Sequence, residues 1–342
     1  MSTLKVDNIR HNSATSDAIT MASDGTCTAK LTNYPHRNLF LNGAVNVSQR
    51  GDSYASGYTY KADQWYIFPT GSTTTRLTTS PPDGFTYYFR FPSTTDSIII
   101  SQQIELDVQG KVGKYKNKTV TVSWYARSES NNTMYVDAAF KNASGGGNYT
   151  SIVAGSGSAQ SITSSWARYS QTFTISATPH ANNTCFSVMI RTPSSGSGST
   201  GTLEATGFQC EFGDTMTDFE HIPLAEEFTR CYRYYYRLKG DNNKTYMIGM
   251  SDNDNVNIYG FLHFPVPMRT APTGIDYGGG ASDYKVRRDT TQTCTAVPAF
   301  IDAMPFYARV NFPRSGHGWG TGQMLWCQGG STSSYIGFSA EI

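Results

Sequence analysis

Alternation of apolar and polar side chains is the feature that most limits the folds open to this chain. It is clearest in residues 118–127, whose apolar positions on one side are Val120, Val122, Trp124 and Ala126. The alternation returns in residues 134–140 and 186–190. Because successive side chains of an extended chain point to opposite faces, these positions share one face of a strand. Several short runs of this kind, separated by turn-rich segments, predict a β-sandwich or jelly roll.

The composition agrees with an all-β fold. The 22 Tyr and 18 Phe suit pleated sheets, and the 32 Gly suit tight turns. Charged residues make up only 15% of the chain, and the net charge of +1 supplies no basic surface for nucleic acid or anionic lipid. No apolar run is long enough to span a bilayer, so we expect no membrane insertion. Residues 1–10 also lack the pattern of an export signal.

Changes in sequence texture divide the chain into four parts. We expect an N-terminal virion-attachment or oligomerisation segment (1–34), a jelly-roll domain (35–222), a connecting helix (223–240) and a second, distal β domain (241–342). The first part holds two short strand-like pieces that cannot bury a core alone. Two interpretations stay open for it: a disordered tail, or a segment that finds its partners in other copies of the chain or in a docking protein.

The connecting helix is predicted from apolar spacing. One helical face would carry Leu224, Phe228, Cys231, Tyr235 and Leu238. Pro223 suits the first helical position, acidic residues follow in the first turn, and Gly240 is placed to end the helix. The apolar stripe must pack either on the sandwich or on sister helices. We therefore expect Leu224, Phe228, Cys231 and Tyr235 to form a connector or oligomer contact.

The six cysteines stand far apart in the sequence and include no CxxC pair. A structural zinc site needs closely spaced ligand pairs, and a disulfide framework would be sparse for 342 residues. We expect most of them to be small buried apolar residues in a chain folded in a reducing cytoplasm.

The motifs of common enzyme classes are missing from the sequence. There is no nucleophile elbow, zinc-peptidase motif, phosphate-binding loop or dinucleotide-binding fingerprint. The acidic residues form no suggestive cluster except in residues 252–255, where Asp252 and Asp254 alternate with asparagines. Such oxygen ligands can bind calcium, or the run can be a plain polar turn. We expect a protein that is not an enzyme, with no cofactor and no metal site; calcium is the alternative considered.

Binding of a carbohydrate suits the composition better, because sugar sites combine an aromatic platform with neutral hydrogen-bonding side chains. Residues 314–322 form a glycine-rich run that holds His317 and Trp319. A loop of this kind cannot form a core by itself, so its aromatic residues are expected to be accessible. With Tyr335 in the last strand candidate, these are the candidate glycan-binding residues. Trp326 lies among apolar neighbours and is expected in the core.

Several segments resemble bacteriophage tail fibre proteins of the marine-phage type, whose jelly-roll domain is similar to carbohydrate-binding modules. Residues 38–51 and 61–66 resemble the opening of that domain, residues 207–213 and 218–223 its closing strand, and residues 231–235 the signature that follows. Residues 2–9 and 338–342 resemble the leading and terminal segments of such fibres. Carbohydrate-binding modules of this shape often hold calcium near the opening strand, but here Ala44 and Val45 occupy the position of the expected acidic residue.

This resemblance implies a virion protein assembled in the host cytoplasm, in the form of a homotrimer. Its N-terminal segment would dock on a phage tail or adaptor protein, and its distal domain would adsorb to a host surface polysaccharide. Two other functions remain open. One is a purely structural tail or capsid decoration without receptor contact, and the other is a polysaccharide depolymerase, which needs a pair of carboxylates in a groove.

Overall fold

The computed structural model describes residues 5–15, 17–29, 35–57, 59–68, 73–94, 96–106, 115–130, 132–142, 150–176, 178, 183–193 and 201–342. Within these ranges the chain forms 26 β-strands, one α-helix and two short 3-10 turns, Gly155–Ser158 and Ala281–Asp283. The all-β fold class predicted from the alternation is confirmed. Among the described helical residues, none belongs to a helix with the length and apolarity that crossing a bilayer requires.

A small antiparallel sheet precedes the larger units. Its strands are β1 (Asn8–Ile9), β2 (Ile19–Met21) and β3 (Cys27–Ala29), in the order β1-β2-β3. The side chains of Ile9 and Met21 are exposed, as expected for a sheet too small to bury a core. Residues 1–4, 16 and 30–34 of the predicted attachment segment lie outside the described residues.

Two antiparallel sheets pack face to face to form the sandwich, as predicted for the jelly-roll domain. Its strands are β4 (Ser53–Tyr54), β5 (Thr59–Tyr60), β6 (Tyr66–Phe68), β7 (Thr74–Leu77), β8 (Tyr88–Phe91), β9 (Ile99–Glu105), β10 (Thr119–Ser128), β11 (Thr133–Lys141), β12 (Thr150–Ala154), β13 (Gln160–Ser161), β14 (Ala167–Thr174), β15 (Cys185–Arg191) and β16 (Leu203–Phe212). One sheet has the order β14-β10-β16-β8-β7-β4, and the other β12-β11-β15-β9-β6-β5, with β13 pairing with β11.

The core of the sandwich lies between the two sheets and is lined by the predicted inward faces. Every apolar side chain of the 120–126, 134–140 and 186–190 alternations is buried in it. Gln171 interrupts the apolar face of β14, and it is also buried. Its side-chain oxygen accepts a hydrogen bond from the backbone N–H of Val136 at 2.9 Å, which satisfies the buried amide oxygen.

Asn42 fixes the opening loop of the sandwich. Its side-chain oxygen accepts from the N–H of Val47 at 2.9 Å, and its amide nitrogen donates to the carbonyl of Val47 at 2.7 Å. The backbone N–H of Asn42 donates to the buried carboxylate of Glu227 at 2.6 Å. This last bond joins the opening loop of the sandwich to the helix.

The helix α1 spans Leu224–Tyr232, so the predicted helix over 223–240 is wrong beyond Tyr232. Residues Tyr235–Lys239 form a strand, β17, because the consecutive tyrosines favour extended structure and the C-terminal strand pairs with them. Cys231 is buried as expected on the helix, while Tyr235 is buried from a strand instead. Leu224 and Phe228 remain on the helix, Leu224 exposed and Phe228 partly buried.

The distal module follows the helix and consists of two sheets. Its strands are β17, β18 (Thr245–Ser251), β19 (Ile258–His263), β20 (Asp276–Gly278), β21 (Tyr284–Arg287), β22 (Thr291–Thr293), β23 (Ala299–Met304), β24 (Tyr307–Asn311), β25 (Met324–Gly329) and β26 (Tyr335–Ser339). The smaller sheet has the order β17-β26-β20, and the larger β22-β21-β25-β18-β19-β24-β23. The last strand, β26, pairs with both β17 and β20.

The distal module buries a core of its own between these sheets, and the prediction for Trp326 is wrong. Leu325 and Cys327 point into that core, so Trp326 between them points outward and is 45% exposed. Five of the six cysteines are buried and Cys27 is exposed, in agreement with their predicted role as small apolar residues.

Candidate functional site

A cavity of about 950 Å³ opens where the sandwich, the helix and the distal module meet. The sandwich contributes the loop of residues 46–52 together with Arg76 and Tyr87, the helix contributes one side, and the distal module contributes β17 and the start of β26. The volume is within the range of pockets that hold small ligands. The lining residues are Asn46, Ser48, Gln49, Arg50, Gly51, Asp52, Arg76, Thr86, Tyr87, Leu224, Phe228, Tyr232, Arg237, Lys239, Thr332 and Tyr335.

Aromatic rings form much of the apolar wall. Phe228 and Tyr232 lie one turn apart on the helix, with ring centroids 5.7 Å apart. Tyr87 and Tyr335 face the cavity from the sandwich and the distal module. All four rings are partly exposed, so each keeps a surface that a ligand can contact. Burial raises the pKa of Tyr232 above its usual value, and its hydroxyl stays protonated near neutral pH.

Basic side chains lie against these rings. The guanidinium of Arg237 is 3.1 Å from the ring centroid of Tyr335, and that of Arg76 is 3.9 Å from the centroid of Tyr87. Cation–π contacts of this kind hold a guanidinium in place while part of its edge stays free to donate. Lys239 pairs across the strands with Tyr335 and is exposed. It forms no ion pair within the described part of the chain.

Gln49 fixes the strand that carries Arg237 against the sandwich. Its side-chain nitrogen donates to the carbonyl of Tyr235 at 2.7 Å, and its side-chain oxygen accepts from the N–H of Arg237 at 2.9 Å. The guanidinium of Arg237 in turn donates to the carbonyl of Gln49 at 2.8 Å. One glutamine therefore pairs with β17 much as a neighbouring strand would, which makes the cavity wall continuous across the two modules.

A buried ion pair closes the same junction behind the cavity. The guanidinium of Arg50 donates to both carboxylate oxygens of Glu341, at 3.1 and 2.6 Å, and lies 3.5 Å from the ring centroid of Tyr235. The side chain of Glu341 is only 5% exposed. Burial raises the pKa of Glu341 to about 7 against the opposing effect of Arg50. The pair thus joins the sandwich to the C-terminal end of the described chain.

Gly337 gives this junction its close fit. A Cβ atom at this position would overlap the carboxylate of Asp276 and the hydroxyl of Tyr235. That hydroxyl donates to Asp276 at 2.8 Å. Tyr235 can therefore lie under Arg50 only because residue 337 has no side chain.

Asp52 is the single carboxylate among the described residues that line the cavity. It accepts a hydrogen bond from the guanidinium of Arg76 at 2.6 Å. Hydrolysis of a glycosidic bond by paired carboxylates needs a second acid across the bond. The cavity is thus equipped to hold an uncharged or anionic ligand, and its described lining offers no carboxylate pair for that mechanism.

The structure separates the three predicted glycan-binding residues. Tyr335 lines the cavity together with Leu224 and Phe228 of the predicted connector. His317 is buried, and its ring stacks on Trp319 at a centroid distance of 5.4 Å. Its ring nitrogen Nδ1 accepts from the N–H of Trp319 at 3.0 Å, and burial lowers the pKa of the imidazole. Trp319 is partly buried against the distal core, so its predicted accessibility is reduced.

The glycine-rich loop that holds His317 and Trp319 is fastened to the turn of residues 252–257. The N–H of Gly318 donates to the side-chain oxygen of Asn255 at 2.7 Å. Asp254 accepts from the N–H groups of Val256 and Asn257 at 2.9 and 2.8 Å, which lowers the pKa of Asp254. These bonds match the polar-turn interpretation of this run. Within the described residues, no group of three or more His, Cys, Asp or Glu side chains is placed to hold a metal ion.

The basic residues of the cavity were not predicted from the sequence; they are Arg50, Arg76, Arg237 and Lys239. The available signal was the alternation in β17, where Tyr235, Arg237 and Lys239 share one face once the segment is taken as a strand. The predicted helix over this segment concealed it. Arg50 and Arg76 gave no local signal, because they reach the cavity from separate loops and strands.

No family model matches this sequence, and no curated protein matches it. Among solved structures, the CBM22-1 xylan-binding domain of Paenibacillus barcinonensis Xyn10C is 12% identical and covers 52% of this chain and 96% of its own, with a TM-score of 0.34. The tandem of CBM22-1 and CBM22-2 from the same protein is 9% identical and covers 89% and 98%, with a TM-score of 0.34.

A phage protein is also among the similar structures. The enzymatically active domain of bacteriophage CBA120 tailspike protein 4 is 13% identical and covers 53% of this chain, but only 22% of its own, with a TM-score of 0.33. At these identities and TM-scores, the similarities describe the fold alone. Carbohydrate-binding modules and a tailspike domain are thus among the solved structures similar to this chain.

Proposed function

We propose that this chain is a non-enzymatic subunit of a bacteriophage tail fibre that binds an acidic host-surface polysaccharide in the cavity between its two modules. The observation that carries the proposal is the lining of the cavity, which combines four aromatic rings with four basic side chains. The chain would be part of the virion, as a homotrimer whose N-terminal segment docks on a tail or adaptor protein.

The aromatic wall supports carbohydrate as the ligand. A sugar ring has an apolar face that packs on an aromatic ring, and hydroxyls at its rim that need hydrogen-bonding partners. Tyr87, Phe228, Tyr232 and Tyr335 offer such faces from three sides. Asn46, Ser48 and Thr86 lie among them and offer neutral donors and acceptors.

The charged side chains of the cavity narrow the class of sugar that can bind there. Asp52 forms an ion pair with Arg76, and Glu341 forms one with Arg50. Arg237 and Lys239 have no carboxylate partner among the described residues. Two uncompensated cations in a partly enclosed cavity favour an anionic group. A uronate carboxylate or a sulfate ester on the polysaccharide fits this arrangement.

The tail fibre setting rests on the resemblance of the sequence segments to phage fibres. The small N-terminal sheet, with exposed Ile9 and Met21, supports a docking segment because it lacks a core of its own. Repeated copies on one particle would convert weak individual sites into strong adhesion. A structural virion component without receptor contact is the alternative, and it requires no ligand in the cavity.

The loop with His317 and Trp319 is a second candidate site. Trp319 keeps part of its ring exposed within the glycine-rich run of residues 314–322. It lies apart from the residues that line the cavity, so the two sites predict different sensitive residues.

The test is binding of the labelled protein to candidate host cells and to two soluble polymers, polygalacturonate and dextran. The Lys239→Glu variant is expected to lose polygalacturonate binding by about tenfold or more, because one charge contact in a partly desolvated site is worth ~1.5–3 kcal/mol. Lys244→Glu is the matched control, since Lys244 is also exposed but does not line the cavity.

Three outcomes distinguish the hypotheses. Loss of binding with Lys239→Glu but not with Lys244→Glu or Trp319→Ala supports the cavity. Loss with Trp319→Ala alone moves the site to the distal loop. If the assembled wild-type protein binds neither cells nor polymers, the structural alternative replaces the proposal, and a shortening of the polymer chains would indicate a depolymerase.

A further inference from the structure

The outer face of the larger distal sheet is apolar and uncovered. It carries seven large exposed side chains from five adjacent strands, and we call this set the outer face: Ile248, Met250, Phe261, Met304, Tyr307, Met324 and Trp326. Met324 is 69% exposed, more than any other large apolar side chain of the described residues.

The strand register joins five of these side chains in two adjacent rows, and Met304 lies opposite Tyr307 at the far end of the face. Ile248 lies directly opposite Trp326 on one side and Phe261 on the other. Met250 lies directly opposite Met324 in the next row of the same face. Directly opposed residues have Cβ atoms roughly 5 Å apart, so the apolar groups touch along each row.

The size of the outer face exceeds what a monomer ordinarily exposes. With a full side-chain area of ~200 Å² for each large apolar residue, the seven side chains expose roughly 700 Å². The largest apolar patch of a typical monomer is about 300–600 Å². The area instead approaches the ~800 Å² that each partner contributes to a stable protein interface.

The composition of the outer face is that of an interface centre. Aromatic residues and methionines dominate, and the charged side chains beside them are Arg287 next to Trp326 and the pair Arg309 and Asp302 next to Phe261. At one edge Arg287 lies opposite Trp326 and has no ion-pair partner within the described chain. At the other edge Asp302 accepts from Arg309 at 2.5 Å, and its side chain is still 48% exposed.

We infer that the outer face is the contact between copies of this chain. A surface this apolar has to be covered by another protein surface as soon as the chain folds. The partner that is always present in matching amount is another copy of the same chain. When copies are related by a rotation axis parallel to the strands, the Arg287 edge of one meets the Asp302 edge of the next. Arg287 then lies near the exposed carboxylate of Asp302, which pairs with Arg309 in its own copy.

This inference is independent of the cavity and of its ligand. It places the subunit contact on the distal sheet, away from the helix that the sequence predicted as the connector. The sheet faces of neighbouring copies then share a dry apolar core, as in two sheets of a sandwich.

The test is the molar mass of the full chain in solution, measured by light scattering over a range of concentrations. The wild-type protein is expected to be a homo-oligomer at micromolar concentration. Met324→Lys places an unpaired charge in the contact and is expected to raise the dissociation constant on the order of 100-fold. Met216→Lys is the matched control, because Met216 is 39% exposed and lies outside the outer face.

Arg287→Glu is a second variant that leaves the apolar residues intact and puts an acidic side chain opposite Asp302. It is expected to weaken the assembly by about tenfold, more at low than at high salt. A wild-type chain that is monomeric at ~100 μM, or an oligomer insensitive to Met324→Lys, would overturn the inference. Loss of binding to an insoluble polysaccharide, with the mass unchanged, would assign the outer face to carbohydrate instead.

Discussion

The sandwich and the distal module use the same alternation of side chains but differ in what their outward faces carry. In β10 the residues facing the core are apolar, and the opposite face carries Thr121 and Ser123, which are polar and also buried. In β25 the inward residues Leu325 and Cys327 are apolar, and so are the outward residues Met324 and Trp326. The polar groups of this face of the sandwich find hydrogen-bond partners within the chain, as Thr121 does in the carbonyl of Gly213 at 2.9 Å. An apolar outer face indicates that the distal module is completed by a further protein surface.

The largest effect is expected when a tryptophan of each module, Trp124 or Trp326, is replaced by alanine. Trp124→Ala removes a fully buried ring from the sandwich and is expected to lower the free energy of unfolding by about 3–5 kcal/mol. Trp326→Ala is expected to change it by less than ~1 kcal/mol in the dissociated chain, but to weaken the oligomer. Chemical denaturation at low concentration and light scattering measure the two effects. Equal losses of stability would contradict the proposed open face.

The second prediction concerns the junction between the modules and its pH dependence. The pKa of Glu341 is raised from 4.5 in the unfolded chain to about 7 in the folded one, so the folded state retains a proton that the unfolded state releases. Its stabilising effect is complete below pH 4.5 and is lost as the pH rises through 7. The free energy of unfolding is expected to fall by up to ~3 kcal/mol across this window.

Glu341→Gln isolates this contribution. The amide cannot ionise, so the fall in stability between pH 5 and 8 should become shallower in denaturation experiments. A pH profile identical to that of the wild type would show that Glu341 is charged in the fold throughout this range.

The third prediction addresses the close fit beneath the cavity. Gly337→Ala forces Tyr235 or Asp276 to shift and is expected to cost about 1–3 kcal/mol of unfolding free energy. Because Tyr235 supports Arg50 and belongs to the strand of Arg237, polygalacturonate binding should weaken as well. Gly274→Ala is the control, since a Cβ there meets no atom within 4 Å. If Gly337→Ala changed the free energy of unfolding and polygalacturonate binding as little as Gly274→Ala, the residues around Gly337 would not be closely packed.

The smallest expected effect is on the polar outer face of the sandwich. Thr172→Val exchanges an exposed hydroxyl, 2.9 Å from that of Thr121, for a methyl group. The free energy of unfolding should change by no more than ~0.5 kcal/mol, and the mass in solution should stay the same. If Thr172→Val made the protein self-associate, the outer face of the sandwich would also be able to form a subunit contact.

Much of the fold was predictable because its signals are local. The strands β10, β11 and β15 of the sandwich were found from alternation, since each buried face repeats every second residue. The helix was correct in its first turns, where Pro223 and the acidic residues mark the start. It was extended too far because Tyr235 and Leu238 also fit a helical spacing, and the strand pairing that overrides this spacing comes from residues 335–339.

Trp326 was misplaced for a related reason. Residues 324–327 form an unbroken apolar run, and such a run is typical of a strand covered on both faces. The inference of a buried strand is consistent with the proposed assembly, but within one chain only the side of Leu325 and Cys327 is covered. Sequence alone does not say whether the second cover belongs to the same molecule.

The sequence by itself determined the all-β class of the fold and its longest alternating strands, because backbone periodicity and composition act over a few residues. The tertiary structure alone decided the cavity, since Arg50, Arg76 and Arg237 lie far apart in the chain and meet only after both modules dock. It also decided which apolar face stays open. Both depend on strand register and on contacts between distant segments, which are fixed by the packing of whole sheets.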